Sequence, residues 1–376
     1  MANKSVSSKL ENENSDSSEW SSDDEKDKSR DIIPKNIPKE DLKAKDKLNV
    51  HVRKRRKGVS VCLTHCRYDV IRRVAQKFGY KEVCEGENWN MYWTDLSITV
   101  DRKDLLARNL NRMLRLFPRD YNFFPKTWCF PADLGEAITY SRLRKNKTFI
   151  LKPDAGSQGR GIIITKSLKD IRPGDRGVCQ VYITRPFLID GYKFDLRVYV
   201  LMTSCDPIRI YIYKEGLVRF ATSRYKEPNG VNMTNVFMHL TNYAVNKHSR
   251  TYNLDTEGGS KRKLSWFNSY MKGLKHDVEA IWYRIDDVII KTIISAYPVL
   301  KHSYAACFPN HDIIPACGEL LGIDIIFDKR LNPHILEVNH SPSFHTDTDM
   351  DNEVKGAVLS DMFAMMNLEH CDKERF

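Results

Sequence analysis

The segment GIDIIFDKRLNPHILEVNHSPS, residues 322–343, contains two apolar, strand-like runs joined by a polar turn. Asp324 interrupts the first run, and Glu337 and Asn339 interrupt the second. Side chains two residues apart on a strand share a face, so Glu337 and Asn339 point together. Hairpin pairing can bring Asp324 beside them. The segment therefore predicts a β-hairpin with three oxygen-bearing side chains on one face.

Two carboxylates and an amide oxygen are hard ligands that suit Mg²⁺ bound largely through nucleotide phosphates. A pair of edge carboxylates facing water would give the same pattern. The hairpin alone leaves both interpretations open.

A glycine-rich segment lies upstream, FILKPDAGSQGRGIIIT at residues 149–165, with Gly156, Gly159 and Gly161 between two strand-like runs. It lacks GK[ST], and a strand rather than a helix follows, which excludes a Walker P-loop and a dinucleotide fingerprint. A loop of this kind can still fold its backbone N–H groups over phosphates, although an ordinary glycine-rich hairpin would look the same. Lys152 and Arg160 add positive charge, and together with the hairpin they favour a magnesium–nucleotide site.

A third charged segment is DGYKFDLRVYV, residues 190–200. On a strand, Lys193, Asp195 and Arg197 would alternate onto one face and apolar residues onto the other. Buried charges are costly unless they are paired, so this face either meets solvent or forms the wall of a polar cleft.

The bulk properties indicate a basic protein with a packed core. The chain has 376 residues, 41% hydrophobic content, a formal net charge of +11 and nine cysteines. It shows neither an apolar run of about 20 residues nor the apolar core of a signal peptide. We therefore expect a soluble, intracellular protein with reduced thiols. The positive charge favours a polyanionic partner.

Composition and periodicity predict an α+β fold with a large mixed sheet. Residues 1–57 are polar, first acidic and then basic, and are expected to be disordered. Helices are predicted over residues 68–80, 102–118 and 284–300, and strands dominate from Thr148 onward. The turn signals CDP and KEG predict three separate strands between residues 192 and 222.

The motifs KPDAGSQGRGI, KFDLRVYVL, MHLTNYAVNK and LEVNHSPS resemble the tubulin tyrosine ligase-like family, and in particular its polyglutamylase branch. The resemblance covers roughly residues 58 to 370. It implies a multi-lobed ATP-grasp-type fold with mixed or antiparallel sheets and flanking helices. The implied lobes are residues 58–130, residues 131–190 with the glycine lid, and residues 191–370 with the metal site.

The resemblance also implies roles for individual residues, with ATP and Mg²⁺ as cofactors. Catalysis would involve Arg197 and Glu337, and Mg²⁺ would bind Asp324, Glu337 and Asn339. The incoming amino acid would contact Arg219, Tyr243, Ala244 and Lys261, with Lys263 as the competing choice for the lysine. ATP would contact Lys152, Gln158, Arg160, Gly161, Gln180, Val181, Tyr182, Ile183, Lys193, Phe194, Asp195, Thr241 and Asn242.

The implied activity is ATP-dependent addition of free L-glutamate to glutamate side chains of acidic tubulin tails, through an acyl phosphate. A monomer in the cytoplasm and cytoskeleton, at ciliary or basal-body microtubules, is expected, without nucleic-acid or membrane partners. A glycine ligase and a shortened, non-catalytic tubulin-binding isoform are the alternatives. A basic nucleic-acid-binding protein is a weaker one, because no zinc-finger or RNA-recognition signature accompanies the basic run at residues 53–57.

Two departures from the family pattern are the reason for the shortened-isoform alternative. Family members usually carry a further stretch, including a Phe-Pro-Gly element, where Val100 here runs directly into Asp101. The chain also stops at Phe376, where polyglutamylases often continue into a basic helical region. From these departures we expect either low microtubule affinity or an altered function.

Overall fold

A computed structural model describes residues 58–95, 103–153, 159–169, 171–253, 258–309 and 316–368. The tail predicted over residues 1–57 and the junction at Val100–Asp101 lie outside the described residues.

The first sheet has three parallel strands in the order β2-β1-β3. These are β1 (Ser60–His65), β2 (Lys81–Val83) and β3 (Met91–Thr94), and helix α1 (Asp69–Lys77) follows β1. The first predicted helix is confirmed, and it stops before Gly79, which has φ 75°. A positive φ favours glycine, so Gly79 allows the chain to turn into β2.

The second sheet has four antiparallel strands in the order β4-β7-β5-β6. Helices α2 (Lys103–Leu116) and α3 (Leu134–Leu143) precede its central strands. The strands are β4 (Thr127–Phe130), β5 (Phe149–Pro153), β6 (Ile163–Thr165) and β7 (Gly177–Val181). Strand β4 lies at the end of the predicted lobe of residues 58–130, but it pairs with β7 of the next predicted lobe. The lobe limits stay a prediction.

The largest sheet has six strands, with β11-β10-β9-β12-β13 in sequence and β8 paired to β9. The strands are β8 (Leu188–Ile189), β9 (Tyr192–Cys205), β10 (Ile208–Phe220), β11 (Lys261–Lys263), β12 (Glu319–Phe327) and β13 (Pro333–Asn339). The antiparallel pairing of β12 with β13 confirms the hairpin predicted from residues 322–343.

The predicted turn at KEG is wrong, because β10 runs through it as one strand. The register between β9 and β10 shifts between Ile212 and Gly216. A Cβ at Gly216 would lie 2.4 Å from the carbonyl oxygen of Arg197, so only glycine fits at this close approach. The extra residues form a bulge instead of ending the strand.

Within the described residues, five further helices complete the α+β fold, whose class is confirmed. They are α4 (Val236–His239), α5 (Tyr243–Asn246), α6 (Leu264–Gly273), α7 (Val278–Cys307) and α8 (Asp349–Met366). Helix α7 is longer than predicted; it begins at an Asp277 cap whose side chain accepts from the Ala280 amide. None of the helices in the described part of the chain is long and apolar enough to cross a membrane.

Aromatic packing joins the six-stranded sheet to its helices. Phe194 of β9, Phe267 of α6 and Phe327 of β12 are each at most 1% exposed. The rings of Phe267 and Phe327 stack with centroids 5.9 Å apart and an interplanar angle of 6°. This cluster lies on the face of β9 opposite to Lys193, Asp195 and Arg197.

Phe267→Ala should destabilise the protein by about 3–5 kcal/mol, because it leaves a cavity among buried aromatic rings. The free energy of unfolding from chemical denaturation measures this. Tyr283→Ala, at a side chain 78% exposed on α7, is the control and should stay within about 0.5 kcal/mol of wild type. A loss below about 1 kcal/mol for Phe267→Ala would contradict the role given to this cluster.

Candidate active site

Strands of the four-stranded and six-stranded sheets line a cavity of about 1020 Å³. Most of the site residues predicted from the sequence line it: Lys152, Arg160, Gln180, Val181, Tyr182, Ile183, Lys193, Asp195, Arg197, Arg219, Thr241, Asn242, Tyr243, Ala244, Lys261, Asp324, Glu337 and Asn339. The structure thus brings together residues almost 190 positions apart in the sequence.

Two predicted residues do not line the cavity, and one lies outside the described residues. Phe194 packs in the core, because alternation along β9 turns it away from Lys193 and Asp195. The expected cofactor contact of Phe194 is corrected accordingly: only its backbone could make one. Gly161 lies beside the cavity, next to Pro153, and Gln158 is not described.

Three buried charges and the partly buried Arg197 form a network across β9, β10 and β12. The register places Asp195 opposite Arg219 and Arg197 opposite Asp324. Nε and Nη2 of Arg219 each donate to Asp195 at 2.7 Å, and Nη2 also lies 2.7 Å from Asp324. Arg197 Nη2 donates to Asp324 at 3.0 Å. Each buried charge therefore has partners of opposite sign, which offsets its desolvation cost.

The network keeps the Asp324 carboxylate ionised. Burial alone would raise the pKa of this carboxyl, but Arg197 and Arg219 hold it below its usual range. Thr241 Oγ1 also donates to Asp195 at 2.6 Å. The two carboxylates are thus fixed in orientation before any ligand arrives.

The oxygen ligands predicted from the hairpin lie together. Asp324 is opposite Glu337 in the register of β12 and β13, and Asn339 follows two residues later on the same strand. The Asn339 amide nitrogen donates to the Gly322 carbonyl at 3.2 Å, a bond that does not use its side-chain oxygen. This donor set fits Mg²⁺, which commonly completes its ligands with phosphates and water.

The described side chains do not form a metal site by themselves. No cluster of three or more His, Cys, Asp or Glu side chains within the described ranges could hold a metal ion. The hairpin supplies two carboxylates and one amide, so a metal there would need oxygens from a bound nucleotide.

Lys152 connects the two sheets at the cavity floor. Its Nζ donates to Gln180 Oε1 at 3.0 Å and to the Leu336 carbonyl at 3.3 Å. Gln180 in turn donates to Thr127 Oγ1 at 2.9 Å. Burial lowers the pKa of Lys152, and Glu337 partly opposes this. The ammonium is therefore oriented toward β13 and its oxygen ligands.

Lys193 lies in a second buried polar cluster. Its Nζ donates to Tyr182 Oη at 2.9 Å and to the His239 carbonyl at 2.7 Å. Burial lowers the pKa of Lys193 to about 7, against the opposing effect of Asp195. Burial and Lys193 lower the pKa of His239 to about 4, so this imidazole is neutral near pH 7.

Gly159 lies against α5 and the residue before it. A Cβ at Gly159, which has φ 86°, would lie 2.8 Å from Val245 Cγ2 and 3.3 Å from Asn242 Oδ1. The close approach and the positive φ both require glycine here. Arg160 follows it as an exposed side chain at the cavity.

Strands β10 and β11 and helix α5 carry the candidate amino-acid contacts. Arg219 on β10 is opposite Lys261 on β11, and the Lys261 ammonium lies 4.5 Å from the centre of the Tyr243 ring. Burial, with a hydrogen bond to Asp347, raises the pKa of Tyr243 to about 12. Lys263 does not line the cavity and instead pairs with Glu353 on α8.

Several residues that line the cavity were missed by sequence reasoning. Thr127 and His239 gave no signal, since single polar residues beside apolar ones occur throughout the chain. Helix α8, which carries Asp351 and Lys355, was also missed. Thr348 and Asp351 form the capping-box spacing at its start, and this pattern could have located the helix.

A comparison with protein-family models matches residues 85–375 to the Tubulin-tyrosine ligase family. Curated relatives include mouse Tubulin polyglutamylase TTLL6, 54% identical over 86% of this chain, and mouse Tubulin polyglutamylase TTLL13, 50% identical over 92%. Human Tubulin polyglutamylase TTLL7 is 38% identical over 88% of the chain.

The aligned regions cover 42%, 46% and 40% of these three relatives, so the chain spans less than half of their length. The ATP-grasp-type fold expected from the sequence agrees with the family match and with the mixed sheets. By the extent of that match and the identity to its relatives, the chain belongs to the tubulin-tyrosine ligase family.

Proposed function

We propose that this protein is an ATP-dependent ligase that adds glutamate to glutamate side chains of acidic tubulin tails. The observation that carries the proposal is that one cavity is lined both by Asp324, Glu337 and Asn339 and by Lys152, Arg219 and Lys261. The relatives named polyglutamylases support the choice of reaction.

The reaction needs an activated carboxylate. The γ-phosphoryl group of ATP would pass to the acceptor carboxylate, giving an acyl phosphate and ADP. The amine of free glutamate would then attack the acyl carbon, releasing phosphate and forming the amide bond. Mg²⁺, when bound, would neutralise charge on the transferring phosphoryl group.

The chain's own residues bind and orient the reactants. We assign nucleotide contacts to the glycine-rich segment of residues 149–165, which includes Lys152 and Arg160. Lys193 and residues 180–183 would make further nucleotide contacts. The metal would bind next to these nucleotide contacts, at Glu337, Asp324 and Asn339. Pairing with Arg197 and Arg219 pre-orients the Asp324 carboxylate, so little reorganisation is needed when the reactants bind.

The cationic wall, formed by Arg219 and Lys261, favours glutamate over glycine. Arg219 and Lys261 face each other across neighbouring strands, and two cations suit an amino acid that carries two carboxylates. A glycine ligase would need only one. The buried charge network in the cavity also argues against the non-catalytic alternative, because burying so many charges is costly unless they serve binding or chemistry.

The substrate side of the proposal follows from charge. A formal net charge of +11 attracts an acidic peptide, and this steering weakens as salt increases. We place the protein on cytoskeletal microtubules, with those of cilia and basal bodies as the specific proposal, acting as a monomer.

Glu337→Gln should abolish glutamate incorporation, because it removes a charged oxygen at the metal and phosphate site while keeping the side-chain shape. We expect a loss of at least about a hundredfold in rate. The protein is incubated with microtubules, Mg-ATP and labelled glutamate or glycine, and label in tubulin is counted.

Glu319→Gln is the matched control for this change, since Glu319 lies on β12 but outside the cavity. It should retain the wild-type rate. Incorporation of glycine alone would select the glycine ligase. Microtubule binding without any incorporation would select the non-catalytic form and contradict the proposal.

Nucleotide affinity should fall as pH rises through about 7, the pKa of Lys193. Below that pH the ammonium is present and attracts phosphate; above it, binding must first take up a proton. The Kd for Mg-ATP, measured by calorimetry, should then rise toward about tenfold per pH unit.

Lys193→Met separates this effect from titration of the nucleotide itself. The variant should bind Mg-ATP more weakly at low pH and show a flatter pH profile than wild type. Identical slopes for the two proteins would exclude Lys193 as the titrating group.

A further inference from the structure

A buried carboxylate contacts Lys261 of the cationic wall. Asp351, in the first turn of α8, is 1% exposed and lines the cavity together with Lys355. Its Oδ2 accepts a hydrogen bond from Lys261 Nζ at 2.7 Å. Its Oδ1 lies 3.0 Å from Lys355 Nζ. One carboxylate thus joins two lysines, one on a strand and one on its own helix.

The position of Asp351 is fixed by the start of α8. The Thr348 hydroxyl donates to Asp351 Oδ2 at 2.9 Å and accepts from the Asp351 amide at 3.1 Å. Negative charge is favourable in the first turn of a helix. Val354, Val358 and Leu359 of the same helix are buried, so the carboxylate is attached to a packed element rather than a loop.

We propose that Asp351 is a positioning residue for the incoming amino acid: it holds the Lys261 ammonium at the cavity wall beside Arg219 and so favours an amino acid with a second carboxylate. This inference rests on the proposed ligase function. It assigns the selectivity for a dicarboxylate to a residue on α8, outside the strands that carry the nucleotide and metal residues.

The charges explain why such a residue is needed. Lys261 and Lys355 are only 9% and 6% exposed. With Asp351 between them, the three groups carry one net positive charge, which a substrate carboxylate can neutralise with a charge-assisted hydrogen bond. Without the Asp351 carboxylate, the neighbouring Lys261 and Lys355 ammonium groups would be buried without the counter-ion that they share.

Two opposing effects would follow from loss of the carboxylate. Removing a negative charge raises the local potential, which would attract glutamate. Burial and mutual repulsion, however, would deprotonate one lysine or drive Lys261 away from the wall. A lysine that has lost its proton or its position cannot bind carboxylate, so we expect the second effect to dominate.

The test compares Asp351→Asn with wild type in the microtubule assay, with glutamate varied at saturating Mg-ATP. The KM for glutamate should rise about tenfold or more, since a charge-assisted contact is lost. The KM for ATP should change by less than about twofold, and kcat should remain near wild type at saturating glutamate. A general disturbance of the fold would not affect the two KM values so differently.

Asp351→Glu tests whether the position of the carboxylate matters. It keeps the charge but displaces it by one methylene group, so its KM for glutamate should lie between those of wild type and Asp351→Asn. Melting temperatures identify any variant that does not fold. If Asp351→Asn does not fold, Asp351→Glu carries the test, and a wild-type KM for glutamate in that variant overturns the proposal.

Glu353→Gln is the matched control. It breaks the pair between Glu353 and Lys263, which joins the same helix to the same strand outside the cavity. Its KM for glutamate should equal that of wild type. An unchanged or lower KM in folded Asp351→Asn, or equal rises in both KM values, overturns the inference. Absence of glutamate incorporation by wild type would instead overturn the proposed ligase function.

Discussion

The pairing of Asp195, Arg197, Arg219 and Asp324 is the interaction on which the rest of the site depends. The four side chains come from three adjacent strands of one sheet, and each is at least partly buried. Charges in such a place persist only if their partners are held in position. The register of β9 with β10 and β12 provides those partners, so the strand pairing and the chemistry of the cavity are specified together.

Strand β9 has an apolar face that packs in the core and a polar face that lines the cavity. Phe194 and its neighbours on the aromatic side pack against α6 and Phe327, which keeps the sheet in place. Lys193, Asp195 and Arg197 on the other side meet the cavity. Glycine appears where the backbones come too close for a side chain, as at Gly216 beside Arg197. The bulge there lets β10 continue to Arg219 instead of turning away.

Charge also links the parts of the cavity to which we assign the nucleotide and the amino acid. Lys152 joins the four-stranded sheet to β13 through Gln180 and Leu336. Lys261 joins β11 to α8 through Asp351. Nucleotide and amino acid would therefore be bound by lysines whose positions depend on different elements of the fold. Under the proposed function, the two substrates would be recognised by separate contacts within one cavity.

The sequence by itself determined the local patterns: the hairpin at residues 322–343, the alternation of charge along β9, the glycine loop and the first helices. These follow from periods of two and 3.6 residues and from the backbone freedom of glycine, which act over a few residues. Only the tertiary structure decided that β10 is continuous and that α8 brings Asp351 to Lys261. Those outcomes depend on which strand or helix packs alongside. Partners 90 and 127 residues apart in the chain leave no periodic trace in the sequence.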